Sequence, residues 1–123
     1  MSAHAFPASH RLLHSTEFDA VFSHPKYRVS KQAFLVLAKQ NAEGFNRLGI
    51  VIGKKNVPTA VNRNQIKRVI RETFRAGPLH QAGLDVVVLV RKQARGMAKP
   101  ALRTLLTAAL SGLASDVMAG DRQ

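Results

Sequence analysis

The stretch Lys54–Arg75, KKNVPTAVNRNQIKRVIRETFR, decides how the rest of the chain is read. Thr59 is placed as a helix N-cap and Gly77-Pro78 supplies a stop, so the spacing predicts a helix over Ala60–Arg75, about four turns long. At about 100° per residue, Asn62, Ile66, Val69, Ile70, Thr73 and Phe74 gather on one side. Arg63, Asn64, Lys67, Arg68, Arg71 and Arg75 gather on another, across an arc of about 140°. One side suits a core, and the other carries a row of cations. Glu72 is the only acid in the segment.

A solvated helix face usually alternates its signs, because opposite charges four residues apart stabilise a helix and like charges destabilise it. Arg63, Lys67, Arg71 and Arg75 are successive like-charged neighbours at that spacing. An external polyanion would relieve the repulsion, which points this helix at nucleic acid.

Composition agrees. The chain of 123 residues carries 19 Lys+Arg against 7 Asp+Glu, a net charge of +12. Its length and 46% hydrophobic content support one domain over residues 1–123, with 1–9 and 116–123 expected to be flexible. No long apolar run, signal-peptide core or lipidation pattern favours a membrane. The absence of cysteine excludes disulfides and thiolate metal sites, and fits a reducing cytoplasm.

Working outward toward the N-terminus, RLGIVIG (47–53) alternates Leu48, Ile50 and Ile52 against Gly49, Val51 and Gly53, a strand with one bare face. The glycines there permit close approach by a packed helix or a ligand. Lys54 and Lys55 carry charge from the strand end toward the basic helix. AFLVLA (33–38) reads as a strand buried on both faces, joined to 47–53 by the turn NAEGFN (41–46) as an antiparallel hairpin. A short helix is expected over Thr16–Ser23, capped by Ser15 or Thr16, with Asp19 closing a capping box behind Thr16. Phe18, Val21 and Phe22 share one of its faces. The two rings suit either the core or a platform for an unstacked base.

Toward the C-terminus, LDVVVLV (84–90) has the character of a central strand, parallel to 47–53 with the basic helix as crossover. A final helix opens near Pro100 with Leu102, Leu105, Leu106, Ala109, Leu110 and Leu113 as its apolar stripe. The order is αββαβα, an α+β layer fold.

Catalytic constellations are scarce. The acids Glu17, Asp19, Glu43, Glu72, Asp85, Asp116 and Asp121 are scattered and form no cluster for two divalent ions. His10 and His14 have four-residue spacing but no expected helix and no thiolate or carboxylate partner, so no metal site is assigned. Gly49–Lys54 is one residue short of a phosphate loop and lacks the Ser/Thr after the lysine.

RLGIVIGKK (47–55), AVNRNQIKRVIRETFR (60–75) and DVVVLVRK (85–92), preceded by HRLLHSTEFDAVF (10–22), together resemble the bacterial ribonuclease P protein subunit. The resemblance implies an αββαβα fold with a left-handed βαβ crossover, an exception to the usual hand. It implies an RNA-binding, tRNA-processing subunit of an endoribonuclease, in which the catalytic RNA carries the chemistry and binds most of the Mg²⁺. Its partners would be that RNA and precursor tRNA, with no membrane and no obligate protein partner. Lys54, Lys55, Arg63, Asn64, Lys67, Arg68, Arg71 and Arg75 would contact the catalytic RNA. Arg11, Phe18 and Phe22 would line a cleft for the single-stranded 5′ leader. Two positions depart from the family pattern: Gln65 replaces the second arginine of Arg-Asn-Arg, and Leu37 stands where an aromatic is common. Competing readings are a DNA-binding domain with 60–75 as recognition helix, a ribosomal or chaperone-like basic protein, and a protein-only nuclease. The first requires a second helix just before 60–75.

Overall fold

The computed structural model describes residues 10–12, 14–79 and 83–121; the arm expected over 1–9 lies outside them. The elements run α1 (Ser15–Ser23), β1 (Tyr27–Lys31), β2 (Phe34–Gln40), β3 (Arg47–Ile52), α2 (Ala60–Ala76), β4 (Leu84–Val90) and α3 (Lys99–Asp121). The protein is α+β, with three helices around a mixed four-stranded sheet in the order β1-β2-β4-β3. The expected elements appear in the expected order, and β1 is added to them.

The pairing of β2 with β3 is corrected. β4 lies between them, antiparallel to β2 from Phe34↔Val90 to Gln40↔Leu84 and parallel to β3 from Arg47↔Asp85 to Ile52↔Val90. β4 is apolar at every position but Asp85, so the central place removes most of its side chains from water on both faces. β2 finds its hairpin partner in β1 instead. β1 reads YRVSK, with Tyr27 buried and Arg28, Ser30 and Lys31 exposed, the polar character of an edge strand.

Alternation along the strands divides the core in two. Phe34, Val36, Ala38, Leu48, Leu84, Val86 and Val88 face Ile66, Val69, Ile70 and Phe74 of α2 and Leu102, Leu106, Ala109, Leu110 and Leu113 of α3. Leu12, Leu37 and Val87 take the opposite face, beneath Val21 of α1. α3 runs to Asp121, with Val117 buried. The unforeseen strand β1 supplies the surface on which this last part of α3 packs.

α1 is seated by a polar clamp and an apolar socket. Its N-cap is His14, not Ser15 or Thr16, and Glu17 rather than Asp19 accepts the cap hydrogen bond, from the His14 N–H at 3.0 Å. The other Glu17 oxygen accepts from Arg47 Nη1 at 2.8 Å. Arg47 also donates from Nε and Nη2 to the two oxygens of Asp85, each at 2.7 Å. Glu43 lies 4.0 Å from the same guanidinium, and Asn41 Nδ2 donates to Asp85 at 2.8 Å. The hydrogen bonds to Asp85 and then the surrounding carboxylates hold Arg47 above its ordinary pKa, against the cost of burial. In the socket, a Cβ on Gly49 would fall 2.5 Å from Phe18 Cε1, so only glycine admits the ring.

Arg47→Ala leaves Asp85 buried beside no guanidinium and should cost about 2–4 kcal/mol in urea unfolding. The Arg47→Ala/Asp85→Ala double variant should cost less than the sum of the singles. Losses that simply add would contradict a coupled clamp.

Candidate nucleic-acid interface

α2 is built as its sequence dictates. Thr59 Oγ1 accepts from the Asn62 N–H at 3.3 Å, and Gly77 ends the helix in extended conformation. Ile66, Val69, Ile70, Thr73 and Phe74 are buried. Asn62, grouped with them by angle, is exposed, in a hollow it shares with Val57, Ile66 and Arg95. The element before α2 is the strand β3 and not a helix, which removes the helix-turn-helix reading.

The row of cations has two flanks. Arg63, Lys67 and Arg71 are half-buried along the side nearest β3, whereas Asn64, Arg68 and Arg75 are exposed. On the outer flank Arg68 Nε donates to Glu72 at 3.0 Å, and Arg103 of α3 approaches the same carboxylate at 3.6 Å. The Arg68 side chain is 79% exposed, so this pair contributes little and can exchange Glu72 for another anion. Gln65 is exposed on the same helix.

Lys67 and Arg71 of the inner flank form one wall of a groove along β3, while Arg63 turns to the Val57 and Pro58 carbonyls. Phe18, Asp19 and Phe22 of α1 form the opposite wall, with Ile50, Val51 and Ile52 as floor and Lys67 reaching in from α2. At one end the groove continues past Gly49 to Arg11 and Arg71. Arg11 is carried there because residues 11 and 12 lie along β3, with the Leu12 N–H donating to Leu48 O at 3.0 Å. Burial and then the neighbouring Arg11 cation push Arg71 below its ordinary pKa. An anion in the groove would oppose the shift by stabilising the charged guanidinium.

The two rings differ. Phe18 sits in the Gly49 socket, while Phe22 is 40% exposed over the groove floor. Leu37 points to the same side of the sheet but is buried under α1 with Val21 and does not line the groove. Lys54 and Lys55 lie exposed in the turn between β3 and α2. Arg11, Phe18, Phe22, Lys67 and Arg71 are therefore brought together, with Asn64, Arg68 and Arg75 on another side of the same helix. No motif marks Arg95, whose guanidinium reaches the Lys54–Lys55 turn.

Four of the acids have structural partners: Glu17, Glu43 and Asp85 surround Arg47, and Glu72 meets Arg68 and Arg103. Among the described residues no three His, Asp or Glu side chains come together as a metal site. His10 packs its ring on Phe45 at 4.7 Å, and His14 caps α1. Among the described residues no helix is long and apolar enough to cross a membrane.

The family model described as Ribonuclease P matches residues 6–114. The ribonuclease P protein component of Chromohalobacter salexigens is 42% identical over 92 residues, 75% of this chain and 72% of that protein. Its counterpart in Pseudomonas aeruginosa is 44% identical over 102 residues, 83% of this chain and 76% of that protein. Among solved structures, a mutant RNase P protein of Staphylococcus aureus superimposes with a TM-score of 0.77 at 31% identity, covering 84% of this chain and 86% of that one. The RNase P protein of Thermotoga maritima gives 0.71 at 31% identity, covering 81% and 94%. With the family matched over nearly all of its length and the fold shared with two solved members, this chain belongs to the ribonuclease P protein family.

Proposed function

We propose that this chain is the RNA-binding subunit of a tRNA 5′-processing endoribonuclease, holding two RNAs on two flanks of α2. The outer flank, with Asn64, Arg68 and Arg75, and the Lys54–Lys55 turn grip the catalytic RNA. The groove takes the single-stranded leader of precursor tRNA. One observation carries the reading: an exposed ring, Phe22, faces Lys67 across a β-strand floor, while the same helix carries exposed cations on its far flank.

The physics suits each RNA. Duplex RNA is recognised through phosphates, 2′-hydroxyls and shape, so a rigid rail of Arg and Lys is the appropriate tool. A single strand instead offers bases to stack and a backbone to neutralise. The half-exposed Phe22 supplies the first, and Lys67, Arg71 and Arg11 the second. Stacking is tolerant of base identity, as varied leaders require.

Cleavage itself is left to the RNA. Among the described residues no three acidic or imidazole side chains come together, and the Mg²⁺ implied by the family is assigned here to the RNA. The protein's contribution is to lower phosphate repulsion where the RNAs meet, and so to reduce the magnesium the RNA requires.

Arg68→Ala should weaken binding of the catalytic RNA by about 1–2 kcal/mol and reduce the salt slope by about one phosphate. Titrations across salt concentrations check this, and an unchanged affinity and slope would contradict it. Phe22→Ala should leave the melting temperature nearly unchanged and weaken precursor tRNA by about 1–2 kcal/mol, with mature tRNA and catalytic RNA bound as before. Phe18→Ala opens a cavity against Gly49 and should unfold at lower temperature. Equal losses for precursor and mature tRNA in the Phe22 variant would contradict the leader groove.

A further inference from the structure

After β3, the chain turns through Lys54–Pro58 into α2, and four successive carbonyls of this turn receive guanidinium hydrogen bonds. Arg95 donates from Nη2 to Lys55 O at 2.6 Å and from Nε to Asn56 O at 3.1 Å. Arg63 donates from Nη1 to Val57 O and Pro58 O, each at 2.9 Å. The turn is anchored below by Val57, which is 1% exposed, and by Asn56 Nδ2 donating to Val90 O at 3.0 Å. Arg95 is itself held by a tight turn: Lys92–Ala94 forms a 3₁₀ segment with Ala94 buried, and Gly96 reverses the chain at φ +81°.

Carbonyls need donors but not charges. A neutral amide would satisfy them without adding to the repulsion around Lys54 and Lys55. Among the described residues, neither Arg63 nor Arg95 meets a carboxylate. Two guanidiniums are therefore fixed on the short turn that carries the exposed Lys54 and Lys55, and among the described residues no acid pairs with any of the four, which makes the turn a site for a polyanion.

We propose that Arg95 is a positioning residue for RNA binding: its two-point grip fixes the Lys54–Lys55 turn so that both ammonium groups meet a phosphodiester backbone together. The proposal rests on the reading of this turn as a contact with catalytic RNA. Arg95 lies some forty residues downstream of the lysines it serves and outside the basic helix.

The test uses the full-length protein and its cognate ribonuclease P RNA, transcribed in vitro. Arg95→Lys keeps the charge but not the two-point grip, and Lys54→Ala/Lys55→Ala removes the ammonium groups. Alone, each variant should weaken binding by about tenfold, and Arg95→Lys should reduce the salt slope by more than one phosphate despite its unchanged charge. Combined with Arg95→Lys, the lysine changes should cost less than about threefold further. Native-like binding by Arg95→Lys beside a weakened Lys54→Ala/Lys55→Ala overturns the proposal alone. So do strictly additive losses, or a loss that only tracks a fall in melting temperature. If the lysine variant and Arg68→Ala both bind as the native protein does, the RNA-contact reading itself fails.

Discussion

The Arg47 guanidinium sets the arrangement on which the rest depends. It joins β3, which bears it, to β4 through Asp85 and to α1 through Glu17. With its side chain only 18% exposed, it is shielded from much of the screening that weakens surface pairs. A planar fork facing two carboxylates fixes direction as well as distance, which a lysine at this position would not do. Because Glu17 also caps α1, the same ion pair sets where the helix begins and how it lies on the sheet. Phe18 is then held in the Gly49 socket, and Phe22, one turn further on, is left facing the groove.

α2 meets this arrangement from the other side of β3. Its apolar face determines its rotation, and that rotation leaves Lys67 and Arg71 in the groove and Arg68 in solvent. The two flanks have different electrostatics. Arg71 is partly buried and close to Arg11, and both hold it below its ordinary pKa. Arg68 has a weak exchangeable partner in Glu72. A single helix thus offers a half-buried groove wall on one flank and an exposed rail on the other.

Much of this was legible in the sequence because it is local. The Thr59 cap, the buried side of α2, the limits of β4 and the stripe of α3 all follow from residue type and period. The bare face of β3 announced a close neighbour at Gly49, without saying which. What stayed hidden is non-local. YRVSK is half polar and becomes a strand only because β2 pairs with it, and nothing local told β2 to pair with β4 rather than β3. Helix angles gave an unbroken arc of cations, and only the position of α1 divides it. The grip of Arg95 on the Lys55 and Asn56 carbonyls joins residues about forty apart, a contact with no sequence signature.

The central claim is that two flanks of one helix face two different RNAs. Site-specific photo-crosslinking in the assembled holoenzyme tests it most directly, with p-benzoylphenylalanine placed at position 22 in one protein and at position 68 in another. The account predicts that position 22 crosslinks to leader nucleotides of precursor tRNA, and that this product disappears when mature tRNA replaces the precursor. Position 68 should crosslink to the catalytic RNA with either substrate. Crosslinks from position 22 that fall on the catalytic RNA, or from position 68 that fall on the leader, would contradict it.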